Sequence, residues 1–239
     1  MEQAAMESFA QELFDQYPDL APTRSLYLDL EGSGGGTDDD SDKGTESVLT
    51  VCWPQKGEPD RYKRIRRPSK SQPMTLQQLN DTLDELSINR AQLNHIVVFS
   101  GGMEEPDEKK RFEKVFGENI FGNSEWVNLH RVLRETPQMK RAIRQSRWVW
   151  LTSRRSAHYC LEALEHEFNF RRPVNTRAHS NSYADGNPGT IYALKLANSW
   201  VDGSASVDDI RLLELYTRQD VEGMFRITQK SGEIMRTLK

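Results

Sequence analysis

Cysteine is scarce in this chain. Cys52 and Cys160 are the only two, so at most one disulfide can form and no zinc-ligand spacing exists. They read as reduced, partly buried thiols. The histidines are as sparse and as scattered: His95, His130, His158, His166 and His179 do not pair at metal spacing, and no Ser-His-Asp arrangement can be read. No apolar run approaches the roughly 18–20 residues of a membrane span. Met1 to Phe14 holds no basic residue, which is not how a secretory leader begins. These absences lead to the expectation of a cytoplasmic protein without a membrane partner. A surplus of positive charge is missing too. Lys and Arg total 32 against 36 Asp and Glu, a formal net of −4. That excludes a uniformly basic nucleic-acid coat but not binding through unevenly placed clusters.

What is present fits one large domain of 239 residues, or one with an appendage. Met6, Phe9, Ala10, Leu13 and Phe14 stand at helical spacing and stop at Tyr17-Pro18. Residues 1–22 read as an N-terminal helical extension, 23–230 as the main domain and 231–239 as a C-terminal tail. Ser25–Glu31 alternates as a strand. Residues 32–46 are a Gly- and Asp-rich insert, too polar to pack and expected to be disordered. Val48–Trp53 and Tyr62–Ile65 continue as strands, which makes an antiparallel meander. Leu76, Leu79, Leu83 and Leu86 form a helical stripe with Thr75 as its cap. His95–Ser100 is a buried strand, Pro106-Asp107 opens a helix with Phe112, Val115 and Phe116 on its apolar side, and further helices are expected at about 128–135, 138–147, 156–168, 189–200 and 207–229. The order of elements is that of an α/β or α+β domain with a mixed sheet.

Two constellations carry chemistry. In Asp29-Leu30-Glu31 the acids stand at i and i+2 of a strand, so both point to one face. Two such carboxylates resist ionising together, and a divalent cation such as Mg²⁺ relieves the repulsion. Alternatively they are a solvated strand end. In Tyr216-Thr-Arg-Gln-Asp220 the two outer residues lie one helical turn apart. Asp220 falls beside an inward face and needs a partner, either a metal or an arginine such as Arg218 or Arg226.

Taken together and in this order, L-D-L-E and Y-T-R-Q-D-V resemble the DEDD exonuclease superfamily, and within it the bacterial YprB-like group. Tyr159–Phe170 and Gly189–Trp200 are also similar to helices of that group. The resemblance spans about residues 24–230. It implies a ribonuclease H-like fold: a mixed five-stranded sheet with a three-strand antiparallel meander, followed by helices on both faces. It also implies a metal-dependent, 3′–5′ exonuclease-type hydrolysis of phosphodiester bonds in single-stranded or frayed DNA or RNA. Two Mg²⁺ or Mn²⁺ ions would be held by Asp29, Glu31, a middle acid and Asp220, with Tyr216 orienting the attacking water. The middle acid is where the match departs. Aligned on Gly101, Glu105 takes the place of the superfamily's aspartate, with Glu104 and Asp107 as alternatives. All three also read as ordinary acids at a helix N-terminus. Asn128 stands where relatives often carry an aspartate and cannot supply charge. A catalytically degenerate nucleic-acid-binding module on the same fold is the alternative reading.

Basic residues gather at 61–70, 140–155 and 171–177. Arg64 and Arg67 in the first cluster, and Lys140, Arg144 and Arg147 on one helix face in the second, are candidate contacts to nucleic acid. Trp148 and Trp150 interleave with them as possible base platforms. Each run is also what a solvated face looks like.

Overall fold

A computed structural model describes residues 2–32, 46–54, 61–69, 71–100, 105–146, 161–172 and 189–238. The insert between 33 and 45, Lys70, Glu104, Arg147, Trp148, Trp150, Arg154, Arg155, Cys160 and Arg177 lie outside the described residues.

Alternation along β1 (Ser25–Gly32) sets the architecture. Leu26, Leu28 and Leu30 point to one face of the sheet, while Tyr27, Asp29 and Glu31 point to the other. β2 (Glu46–Cys52) pairs antiparallel with β1, from Tyr27 opposite Cys52 to Glu31 opposite Val48, and β3 (Tyr62–Arg66) pairs antiparallel with β2. On the other flank β4 (His95–Val98) and β5 (Glu125–Asn128) run parallel to β1 and to each other. The order is β3-β2-β1-β4-β5, a five-stranded mixed sheet with β1 at its centre. Helices cover both faces, so the chain is α/β. The fifth strand expected from the resemblance is β5, whose place the residue pattern alone does not mark, because Trp126 and Val127 give it too short an apolar signature.

The face of Leu26, Leu28 and Leu30 is covered by α2 (Leu76–Glu85) and α3 (Asp107–Phe116), through Leu79, Leu83, Phe112 and Phe116. Thr75 caps α2 in a reciprocal box with Gln78: the Gln78 N–H donates to Thr75 Oγ1 at 3.2 Å and the Thr75 N–H to Gln78 Oε1 at 2.9 Å. Leu76 of the predicted stripe is nonetheless exposed.

The opposite face carries α1 (Glu2–Gln16), α4 (Leu129–Glu135), α5 (Pro137–Gln145), α6 (Leu161–Glu167), α7 (Gly189–Asp202) and α8 (Val207–Leu238). α1 is not an extension. Phe9, Ala10 and Leu13 are fully buried, and Phe9 meets the edge of Phe168 with ring centroids 5.6 Å apart. Residues 231–239 are not a tail either, since α8 continues to Leu238 with Ser231 and Ile234 buried. The insert is shorter than 32–46: Gly32 and Glu46 pair across β1 and β2, and Glu46 is buried. No helix among the described residues is long and apolar enough to cross a membrane.

Because α1 is part of the main core, Phe9→Ala should lower unfolding free energy by about 3–5 kcal/mol. Lys230→Ala on the exposed side of α8 should change it by less than about 0.5 kcal/mol. Urea denaturation of both variants checks this; equal midpoints would show that α1 is dispensable.

Candidate metal centre

α8 is 32 residues long, about 48 Å at 1.5 Å per residue, and it lies along β1 in the opposite direction. Near the start of β1, the Tyr27 hydroxyl is 2.6 Å from Thr228 Oγ1 and its ring meets Phe225 edge-on. Two residues on a strand advance about 6.6 Å. Four to five residues on a helix advance about 6–7.5 Å. Stepping from Tyr27 to Asp29 to Glu31 therefore matches stepping back from Phe225 to Asp220 to Tyr216. This match brings Asp29, Glu31 and Asp220 together, with carboxylate oxygens that all lie within 4.8 Å of one another. They meet at the carboxyl end of β1. There the chain order reverses between the meander and the parallel strands, which is the usual position for a ligand crevice in an open α/β sheet.

The electrostatics are those of crowded acids. Asp29 Oδ2 is buried with no hydrogen-bond partner among the described residues. Burial, then the charges of Asp220 and Glu108, push the Asp29 carboxyl well above the usual range. Burial, then Asp29 and Asp220, do the same to Glu31. Asp220 is also raised by burial, with Arg172 pulling the other way. Tyr216 is buried one turn away, and its phenol is held neutral by burial and by the charges of Asp220 and Glu31.

Two arginines flank the acids. Arg172 donates through Nε and Nη2 to Glu165 at 2.5 and 2.8 Å, and its Nη1 is 2.6 Å from Asp220 Oδ1. Arg218 and Arg226 both pair with Glu222 instead, so neither is the partner of Asp220. On the other side Arg111 donates to the Leu30 carbonyl at 2.8 Å, forks onto Glu46 and lies 3.6 Å from Glu108. Each of the Glu46 and Glu165 carboxylates is seated against a glycine. A Cβ on Gly32 would overlap Glu46 Oε2, and one on Gly223 would overlap Glu165 Oε1.

Glu105 does not join the cluster. It sits ahead of α3 with its side chain 39% exposed and forms an ion pair with Lys109 at 2.7 Å, which holds its carboxyl below the ordinary range. Asp107 is exposed in the first turn of α3. Glu108, which the motif alignment passes over, lies outside the group of three as well, but it is the acid of this segment whose charge acts on Asp29. Its Oε2 is buried without a hydrogen-bond partner among the described residues. Glu108, Phe112 and Phe116 stand at i, i+4 and i+8, so Glu108 is in line with the side of α3 that packs on Leu26, Leu28 and Leu30, at the end of the helix nearest β4. A hydrogen bond from the Glu108 N–H to Ser100 Oγ at 3.0 Å ties that turn to the end of β4. Asn128 is buried and exchanges hydrogen bonds with the backbone of Ser100 at 3.2 and 3.1 Å. It also accepts from the His130 N–H at 3.1 Å as the cap of α4.

The basic candidates are dispersed. Arg67 is buried and donates to the Ser69 carbonyl at 2.9 Å. Arg64 has a side chain only 11% exposed. It donates to Thr217 Oγ1 at 3.0 Å and to the Glu214 carbonyl, and it stacks on Tyr62. Arg64 joins β3 to α8 and Arg67 bonds within its own segment, so neither faces solvent, which corrects their reading as nucleic-acid contacts. Lys140 donates to the Arg134 carbonyl at 2.6 Å. Arg144 is exposed on α5, opposite the buried Met139 and Ile143. Arg171 and Arg172 close the third cluster among the described residues, and Arg172 points into the acids. No family model, curated protein or solved structure matches the chain.

Burial raises the Glu108 carboxyl from 4.5 to about 7. Asp107 and Glu46 push in the same direction, while Arg111 opposes them. An acid raised in the folded state stays protonated there after the unfolded chain has released its proton. In metal-free buffer its contribution is complete below its ordinary value and is lost as pH rises through about 7. Glu108→Gln should therefore be more stable than the parent at pH 7.5, and its stability should fall less between pH 5 and 7.5. Urea titrations in a chelator at the two pH values measure this; an unchanged pH slope would show that Glu108 is solvated.

Proposed function

We propose that the chain is a metal-dependent nuclease on a ribonuclease H-like fold, hydrolysing phosphodiester bonds of single-stranded or frayed nucleic acid. The observation that carries this reading is the convergence of Asp29, Glu31 and Asp220 from two distant segments, in the order the sequence resemblance expects. The meander continued by parallel strands is compatible with that fold. The donor set fits a hard divalent cation: oxygen ligands only, a buried Asp29 oxygen without a partner, and pKa values raised by mutual repulsion.

Asp29, Glu31 and Asp220 would hold two Mg²⁺ or Mn²⁺ ions, and Glu108 replaces Glu105 as the fourth acid. When bound, such ions lower the pKa of water and offset charge on the attacking and leaving oxygens. Asp29 is central, because the charges of both Asp220 on α8 and Glu108 on α3 act on it. Tyr216, kept neutral by its surroundings, is a hydrogen-bond donor that can orient a water or a phosphate oxygen. Arg111 fixes the Leu30 carbonyl between the two β1 acids, so both keep one direction.

The alternative, a nucleic-acid-binding module without catalysis, draws on Arg172, which already neutralises Asp220. An assay with Mn²⁺ on labelled single-stranded DNA and RNA separates the two. Asp29→Asn and Asp220→Asn should each lower cleavage by about 10³-fold or more, Glu108→Gln should lower it markedly, and Glu105→Gln should leave it unchanged. Binding of the strands without cleavage by the parent protein would favour the second reading.

A further inference from the structure

Asp220 differs from its two neighbours. Among the described residues, no arginine hydrogen-bonds the carboxylates of Asp29 or Glu31, since Arg111 is taken up by Leu30 O and Glu46. Asp220 is held by Arg172 at 2.6 Å, in a pair whose side chains are 3% and 12% exposed. The guanidinium cannot lose its proton. Its other edge is fixed by the two bonds to Glu165, and Glu165 is fixed in turn by the space that Gly223 leaves one turn beyond Asp220 on α8. Gly223, Glu165 and Arg172 thus form a chain that delivers a permanent positive charge to one oxygen of a proposed metal ligand.

Resting on the metal-site reading above, we propose that Arg172 is an internal competitor for the divalent cation. In the metal-free protein it offsets the charge of Asp220. Cation loading then requires Asp220 to exchange Arg172 for metal, so Arg172 is a positioning residue that sets the metal concentration at which the site fills. The opposing possibility is that Arg172 orients Asp220 for the metal and stays in place. The two predict opposite signs. Removing a competitor tightens metal binding, whereas removing a support weakens it.

The test is Mn²⁺ binding without nucleic acid, followed by the electron paramagnetic resonance signal of the unbound ion. The double variant Glu165→Gln/Arg172→Gln removes one charge of each sign. It leaves the net charge unchanged and does not strand Glu165 as an unpaired carboxylate; Asp220 alone loses its charged partner, which is the change under test. Its dissociation constant for Mn²⁺ should fall by about tenfold or more relative to the parent, the equivalent of one modest buried ion pair. Arg172→Lys keeps the charge but cannot fork onto Glu165 while reaching Asp220; it should fall between the two, and it carries the same test if the double variant does not unfold cooperatively in chelator. Equal or weaker binding by the variants overturns the role of Arg172 while leaving the metal site standing. No binding by parent or variant overturns both.

Discussion

Repulsion among carboxylates at the carboxyl end of β1 is the constraint around which the rest is arranged. Two unit charges no more than 4.8 Å apart cost about 3–4 kcal/mol or more at an effective dielectric near 20. Three mutual pairs would consume most of the 5–15 kcal/mol by which a domain of ordinary stability stays folded. Two devices offset this. Burial shifts the acids toward their protonated forms. Arg111 and Arg172 bring positive charge to opposite sides. The remaining imbalance is what a divalent cation would remove. Because Glu46 and Glu165 satisfy the other donors of the two arginines, neither guanidinium is free to turn fully onto the cluster. That leaves room for a further positive charge.

The geometry that forces the acids together is a matching of repeats. α8 is anchored at Tyr27 through Thr228 and Phe225. Further along, Leu213 and Tyr216 pack with Val48 of β2 and with Ala193, Leu196 and Ala197 of α7. Between these anchors the helix has no freedom to slide, so packing sets Asp220 against Asp29, and Arg172 then holds its carboxylate. A polar site is thus built by hydrophobic contacts on either side of it. The two flanking glycines, Gly32 and Gly223, show how tightly backbone and carboxylate are fitted there.

Much of this was legible from the residues. The period-two pattern of Ser25–Glu31 fixed which face Asp29 and Glu31 share, and the helical period around Tyr216 put Asp220 one turn away. Other features were not. α1 reads as a detached amphipathic helix because its partners, Phe168 and α5, lie more than a hundred residues downstream. Glu105 was favoured by alignment on a glycine, but helix phase decides orientation, and phase puts Glu108 with Phe112 on the inward side. The arginine partner of Asp220 could not be found by searching its own helix. Arg218 and Arg226 are near in sequence but satisfy Glu222, and Arg172 reaches Asp220 only through tertiary folding. Arg64 and Arg67 belong to a basic run whose charge pattern looks like a binding surface. In the structure they turn inward to bond backbone carbonyls, a role that composition does not reveal.

Asn128 links β5 to the start of α3. Its amide both donates to and accepts from the Ser100 backbone, which joins the ends of β4 and β5, and Ser100 Oγ in turn receives the Glu108 N–H. The path Asn128–Ser100–Glu108 therefore sets where α3 begins and which way Glu108 points. An aspartate at 128 could accept these bonds but could not donate to the Ser100 carbonyl when ionised, and it would add another negative charge beside acids already held above their normal range. A neutral residue at that position keeps this hydrogen-bonded link intact, while Glu108, outside the group of three, is the acid of α3 whose charge acts on Asp29.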